Sequence, residues 1–189
     1  MLFETIKLLN GEICNETFHQ ERVNYSRKEN YGYEDVLNLS QFINNIPSIG
    51  VYRAKVIYEK TVNDVLISPY IEKPIKSLKV VHSSVFYPYK FLNREELDLL
   101  YTQREDADDV LIIKDGLITD TTIANSIFFD GETWYTPKEP LLKGTYRAKL
   151  LKEGVVKEKT IHYEEINNFK IIGIINALRG ICPIDGIIG

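Results

Sequence analysis

Leu117-Ile118-Thr119-Asp120-Thr121-Thr122-Ile123-Ala124-Asn125-Ser126-Ile127-Phe128 is the stretch whose reading decides the fold. Asp115-Gly116 just before it is a two-residue hairpin signal, so residues 109–113 are expected to turn back into 117–119 as paired strands. Asp130-Gly131 repeats the signal and pairs 126–129 with 133–136. Hairpins rather than regular βαβ units build this region, which points to the α+β class. Downstream, Leu141-Leu142-Lys143-Gly144-Thr145-Tyr146-Arg147 opens a helix expected over 144–152. Upstream, Tyr89-Lys90-Phe91-Leu92-Asn93-Arg94 leads into a helix expected over 93–105, with Leu97, Leu100 and Tyr101 as its apolar stripe.

Working outward, 2–9 reads as a strand, and Asn10-Gly11 returns it through 12–14. Residues 17–30 and 33–45 have helical patterns, the second stopped by Pro47. Residues 51–59, 62–70 and 77–86 are rich in β-branched and aromatic residues and read as strands. Another strand is expected within 160–165, and 171–176 is a buried one; Gly180-Ile181-Cys182-Pro183 then ends the ordered pattern. The join at Tyr87-Pro88 divides the chain into a small N-terminal α+β domain, 1–86, and a larger C-terminal domain, 87–189.

A chain of 189 residues can bury a real core, and 44% hydrophobic with 26% charged residues is ordinary for a globular protein. The net charge of −4, with no Lys/Arg block, argues against a nucleic-acid partner. Cys14 and Cys182 form no CxxC, and His19, His82 and His162 have no zinc spacing, so no metal site is expected. No apolar run is long enough to span a bilayer, and no signal-peptide pattern opens the chain. The expectation is therefore a cytoplasmic protein with no membrane partner.

Four features carry candidate chemistry. Lys90 lies among Phe86, Tyr87, Tyr89, Phe91 and Leu92. Apolar neighbours disfavour the ammonium form, and a neutral lysine can attack a carbonyl carbon; the plain alternative is a solvated lysine. Asp120 is either a turn residue or a carboxylate that keeps a pyridine nitrogen protonated. Gly144-Thr145-Tyr146-Arg147 is either an ordinary helix start or a phosphate site built on free N–H groups. Arg22, in His19-Gln20-Glu21-Arg22, is either a surface arginine or a bidentate phosphate clamp.

Taken together, these segments resemble the class IV aminotransferases, the fold-type IV pyridoxal phosphate enzymes. Phe3-Glu4-Thr5-Ile6 with Asn10-Gly11 looks like the family's first strand and turn. His19-Gln20-Glu21-Arg22 looks like its His-x-x-Arg, and Lys90 matches its cofactor lysine. Asp120 with Asn125-Ser126-Ile127-Phe128 looks like its Glu-x-x-x-x-Asn block, with Asp where members usually carry Glu. Thr136-Pro137, Gly144-Thr145-Tyr146-Arg147 and Ile175-Asn176-Ala177-Leu178-Arg179-Gly180 match later elements. Members usually carry a further segment before the first strand and after the last, so the resemblance implies a D-amino-acid-aminotransferase-like, two-domain architecture shortened at both ends.

The resemblance implies pyridoxal 5'-phosphate as cofactor. Lys90 would be catalytic, and Arg22, Lys90, Asp120, Gly144, Thr145, Tyr146, Asn176 and Ala177 would bind the cofactor. It also implies a small-molecule amino substrate and a homodimer. Lys90-Phe91-Leu92-Asn93-Arg94 and Asn176-Ala177-Leu178-Arg179-Gly180 look most like aminodeoxychorismate lyase, which releases pyruvate and p-aminobenzoate for folate synthesis. Two alternatives stay open: an amino acid aminotransferase of the branched-chain or D-amino acid type on the same residues, and a degenerate, non-catalytic member.

Overall fold

The computed structural model describes every residue, Met1–Gly189. The chain forms two compact units, one of Met1–Glu72 with Tyr89–Asn93 and one of Lys73–Pro88 with Arg94–Gly189. The join expected at 86/87 falls inside the segment 73–88.

The first unit contains β1 (Leu2–Leu9), β2 (Glu12–Ile13), α1 (Glu16–Tyr31), β3 (Val51–Tyr58) and β4 (Val62–Pro69). The strands form an antiparallel sheet in the order β2-β1-β3-β4. Asn10 and Gly11 both take positive φ, as the tight turn between β1 and β2 requires. Leu2, Ile6 and Leu8 point to one face of β1 and are buried with Val23 of α1 and Ala54, Val56 and Tyr58 of β3. Each such aliphatic side chain contributes about 1.5–3 kcal/mol on burial. α1 ends at Gly32, whose φ of 73° lets its N–H close on the Lys28 carbonyl.

Residues 33–45 do not form the expected second helix; only Leu39–Gln41 makes a short 3-10 turn. The cause is competition for backbone donors. The Leu37 N–H bonds to Asn24 Oδ1 and the Leu39 N–H to Gln20 Oε1, both on α1. Those bonds hold the segment extended across α1.

The second unit contains β5 (Ser77–His82), α2 (Glu95–Thr102), β6 (Asp109–Lys114), β7 (Leu117–Ile118), β8 (Asn125–Phe129), β9 (Trp134–Pro137), α3 (Thr145–Lys152), β10 (Val156–Lys159), β11 (Ile171–Asn176), β12 (Gly180–Ile184) and β13 (Gly186–Ile188). One sheet has the order β13-β5-β6-β7 and the other β10-β9-β8-β11-β12. Alternation along the strands builds two cores. Phe128 and Ile174 face a cluster with Leu78, Leu111, Ile113 and Ile118. Ile127 and Ile175 face the other way, against Leu150 of α3 and Val156. The result is a mixed α+β architecture with several sheets and few helices.

Three local expectations change here. The strand expected within 160–165 is instead a 3-10 turn, Tyr163–Asn168, begun when the His162 N–H bonds to the Glu165 carboxylate. Order does not end at Pro183: β12 and β13 follow. Pro183 is tolerated because β12 is an edge strand, where a missing N–H breaks no ladder. The helix expected from residue 93 begins only at Glu95, which leaves Lys90 in non-helical chain.

Candidate active site

In the first unit, β1 turns one charged side chain inward. Glu4 lies in the same row as Leu2 and Ile6 and is fully buried. α1 brings His19 and Arg22 to it, one helical turn apart. Arg22 Nε donates to Glu4 Oε1 at 2.8 Å, and Arg22 Nη2 donates to Glu4 Oε2 at 2.5 Å. His19, itself fully buried, places Nδ1 2.7 Å from the same Oε2. Burial alone would raise the Glu4 carboxyl, but the Arg22 charge and the hydrogen bonds from His19 and Arg22 hold it at about 2. Glu4 is therefore ionised at neutral pH and can only accept. Burial, with the charges of Arg22 and Lys90, pushes the His19 imidazole below its ordinary value despite the pull of Glu4. A neutral His19 must then carry its proton on Nδ1.

Lys90 is fixed by β1. The Phe3 N–H donates to the Lys90 carbonyl at 2.9 Å, and Phe91 bridges Leu2. Its Nζ lies 4.6 Å from the centre of the Phe3 ring, a cation–π distance, and Lys55 Nζ lies 5.2 Å from the same ring. The aromatic partner of Lys90 is thus a residue far away in sequence. Phe86, which the sequence placed beside it, is 73% exposed. Arg22 and Lys90 share this unit with His19, which feels the charge of both.

The second unit gathers the other candidates. Asp120 is 3% exposed and follows β7. Its Oδ1 accepts from Asn125 Nδ2 at 2.8 Å, and its Oδ2 accepts from the Leu142 N–H at 2.9 Å. Asn125 Nδ2 also donates to the Leu142 carbonyl. Burial pushes the Asp120 carboxyl up to about 7, against the backbone N–H groups, Asn125 and the Arg147 charge. Between Asp120 and Asn125 the chain makes a tight turn, with the Thr121 N–H bonded to the Ala124 carbonyl.

This strapping delivers residues 141–144 to the start of α3. A Cβ on Gly144 would lie 2.0 Å from Asn125 Oδ1, so any side chain there would force Asn125 or the loop to move. Gly144 offers no side-chain cap to the helix that starts at Thr145. Tyr146 projects toward the β11–β12 loop, where a Cβ on Gly180 would lie 3.5 Å from its hydroxyl. Asn176 closes that loop by accepting the Leu178 and Arg179 N–H groups, and it reaches the Ile123 carbonyl with Nδ2. Ala177, next in the chain, is half-buried. Arg147 points the other way: it bonds the Pro137 carbonyl at 2.8 Å and Glu158 at 2.7 Å, tying α3 to β9 and β10.

The sequence reading gave no role to Glu4 or His19. The signal present was a charged residue in the apolar row of an alternating strand, which must find a partner when buried.

The chain is similar to several known proteins. A family model described as amino-transferase class IV matches residues 61–187. An uncharacterized protein of Haemophilus influenzae is 38% identical over 186 residues, covering 95% of this chain and 98% of that one. A solved structure provisionally described as a 4-amino-4-deoxychorismate lyase of Haemophilus somnus has a TM-score of 0.85 at 32% identity, covering 95% of this chain and 96% of its own. Another, provisionally described as an amino-acid aminotransferase of Mesorhizobium loti, has a TM-score of 0.83 at 22% identity, covering 98% of both chains, and speaks for the fold alone. No helix is long and apolar enough to cross a membrane.

Proposed function

Because the chain belongs to the class IV aminotransferase family, we propose that it is a pyridoxal phosphate-dependent 4-amino-4-deoxychorismate lyase. The observation that carries the lyase reading is its likeness, over almost the whole of both chains, to the Haemophilus somnus protein.

The side chains fit the cofactor. The amino end of α3, left uncapped by Gly144, suits a phosphate. Asp120 is a buried carboxylate of the kind that keeps a ring nitrogen protonated. Lys90 would hold the aldehyde carbon and Asp120 the ring nitrogen. Arg22, the backbone of Gly144, Thr145 and Tyr146, and the Asn176–Ala177 turn would hold the phosphate. When bound, the group supplies an electron sink for a carbanion at the amine-bearing carbon of the substrate.

Once the substrate amine has taken its place on the aldehyde carbon, the freed Lys90 Nζ would take the proton from that ring carbon. The enolpyruvyl group leaves, the ring becomes aromatic, and p-aminobenzoate is released. Lys90 returns its proton to the methylene carbon of the departing group, which becomes pyruvate. We take the acting form to be a homodimer with a small amino compound as substrate.

The test is release of pyruvate and p-aminobenzoate in equal amounts from aminodeoxychorismate by purified protein. No release, together with amino-donor-driven conversion of the cofactor to its pyridoxamine form, would overturn the lyase reading in favour of an aminotransferase.

A further inference from the structure

The inward face of β1 is Leu2, Glu4, Ile6 and Leu8, and every one of these is buried. An apolar residue at position 4 would pack there without the desolvation that a carboxylate suffers, and buried ion pairs are often no more stabilising than apolar substitutes. The cluster therefore has something to do besides holding the sheet to α1. Glu4 meets Arg22 through one edge of the planar guanidinium, Nε and Nη2 together, and uses both of its own oxygens. His19 Nδ1 closes on the oxygen that Nη2 also uses, which fixes the carboxylate against rotation. An arginine on a helix flank has many rotamers, and this grip selects one.

We propose that Glu4 is the positioning residue for Arg22, gripping its Nε/Nη2 edge so that the guanidinium is held in one orientation for the cofactor phosphate, with His19 holding Glu4 in place. The assignment rests on the reading of Arg22 as a phosphate-binding residue. A role for Glu4 through charge alone makes the opposite prediction. Its negative charge repels a phosphate, so its removal would tighten phosphate binding.

The experiment titrates cofactor-free protein with pyridoxal phosphate and, separately, with pyridoxal, and compares the two affinities. Wild type is expected to prefer the phosphorylated compound. Glu4→Gln should lose roughly tenfold or more of its affinity for pyridoxal phosphate, the scale of a charge-assisted hydrogen bond, and keep its affinity for pyridoxal. In an Arg22→Ala background, Glu4→Gln should add nothing. Glu4→Asp keeps the charge but shortens the reach, so it should also lower the preference, and it serves if Glu4→Gln does not fold. A preference that is unchanged or increased in these variants overturns the role of Glu4 and leaves the Arg22 reading standing. A wild type that binds both compounds equally overturns the Arg22 reading and this proposal with it. Neither result depends on lyase turnover.

Discussion

The Asp120 carboxylate holds the Leu142 N–H at 2.9 Å, so the residue that matches the ring-nitrogen ligand also ties down the loop leading into α3. Asn125 completes the strap by bonding both Asp120 and the Leu142 carbonyl. Substitution separates the two duties. Asp120→Asn keeps the shape and an acceptor oxygen for Leu142 but turns an NH2 toward the Asn125 amide, so some stability should be lost while the fold and phosphate grip survive. It removes the charge that favours a protonated ring nitrogen. Turnover should fall by orders of magnitude with cofactor still bound, and Asp120→Glu should be the milder change. If Asp120→Asn turns over normally while Asp120→Glu is impaired, Asp120 is a loop residue only.

Gly144 gives a test of stability in the same place. Gly144→Ala would drive a methyl group to 2.0 Å from Asn125 Oδ1, so the loop or the amide must move. The expected loss is about 1–3 kcal/mol, the usual scale of overpacking, read from urea denaturation. Because the clash is with Asn125, the losses from Gly144→Ala and Asn125→Ala should sum to more than the loss in the double variant. Strict additivity would place the cost elsewhere.

Much of this region was legible because its signals are local. Asp115-Gly116 and Asp130-Gly131 specify their hairpins through turn chemistry alone, and the Asp120–Asn125 block is contiguous. The Glu4–His19–Arg22 cluster and the Phe3 ring under Lys90 were not, because each needs β1 packed against a distant segment. The helix expected over 33–45 failed for a related reason. Its pattern is helical, but Gln20 and Asn24 take the N–H groups that the helix would need. Order beyond Pro183 was hidden because proline reads as a strand breaker unless the strand is known to lie at an edge.

Lys90 is the residue on which the cofactor should be found. Borohydride reduction of the loaded protein followed by peptide mass mapping should place the adduct on Lys90 alone. Lys55 is the informative control, because its Nζ lies over the same Phe3 ring. An adduct on Lys55, or none, would remove Lys90 from the mechanism.

The homodimer is tested by sedimentation. Val36, Ile49, Ile71 and Phe86 are all highly exposed, apolar surface that a second copy would cover. A dimer is expected at micromolar concentration, with activity falling on dilution as it dissociates. A fully active monomer would refute it.

The pH dependence of stability should show two opposed limbs. Glu4 sits at about 2 in the folded chain against an ordinary 4.5. Its folded pKa is lowered, so its contribution is present above pH 4.5 and is lost as pH falls from 4.5 toward 2. Asp120 runs the other way. Its folded pKa is raised from 3.8 to about 7, so the folded chain holds a proton that the unfolded chain has released. Its contribution is present below pH 3.8 and is lost as pH rises through 7. Asp109, also raised by burial, adds in the same direction. Stability of the cofactor-free protein, measured by urea denaturation across the range, should therefore fall below pH 4.5 and decline again toward neutral. Glu4→Gln should flatten the acid limb. Asp120→Asn should flatten part of the upper limb and leave a remainder to Asp109. If Asp120→Asn leaves the upper limb unchanged, its carboxyl titrates like an exposed one, and the dry, strapped setting assigned to it is wrong.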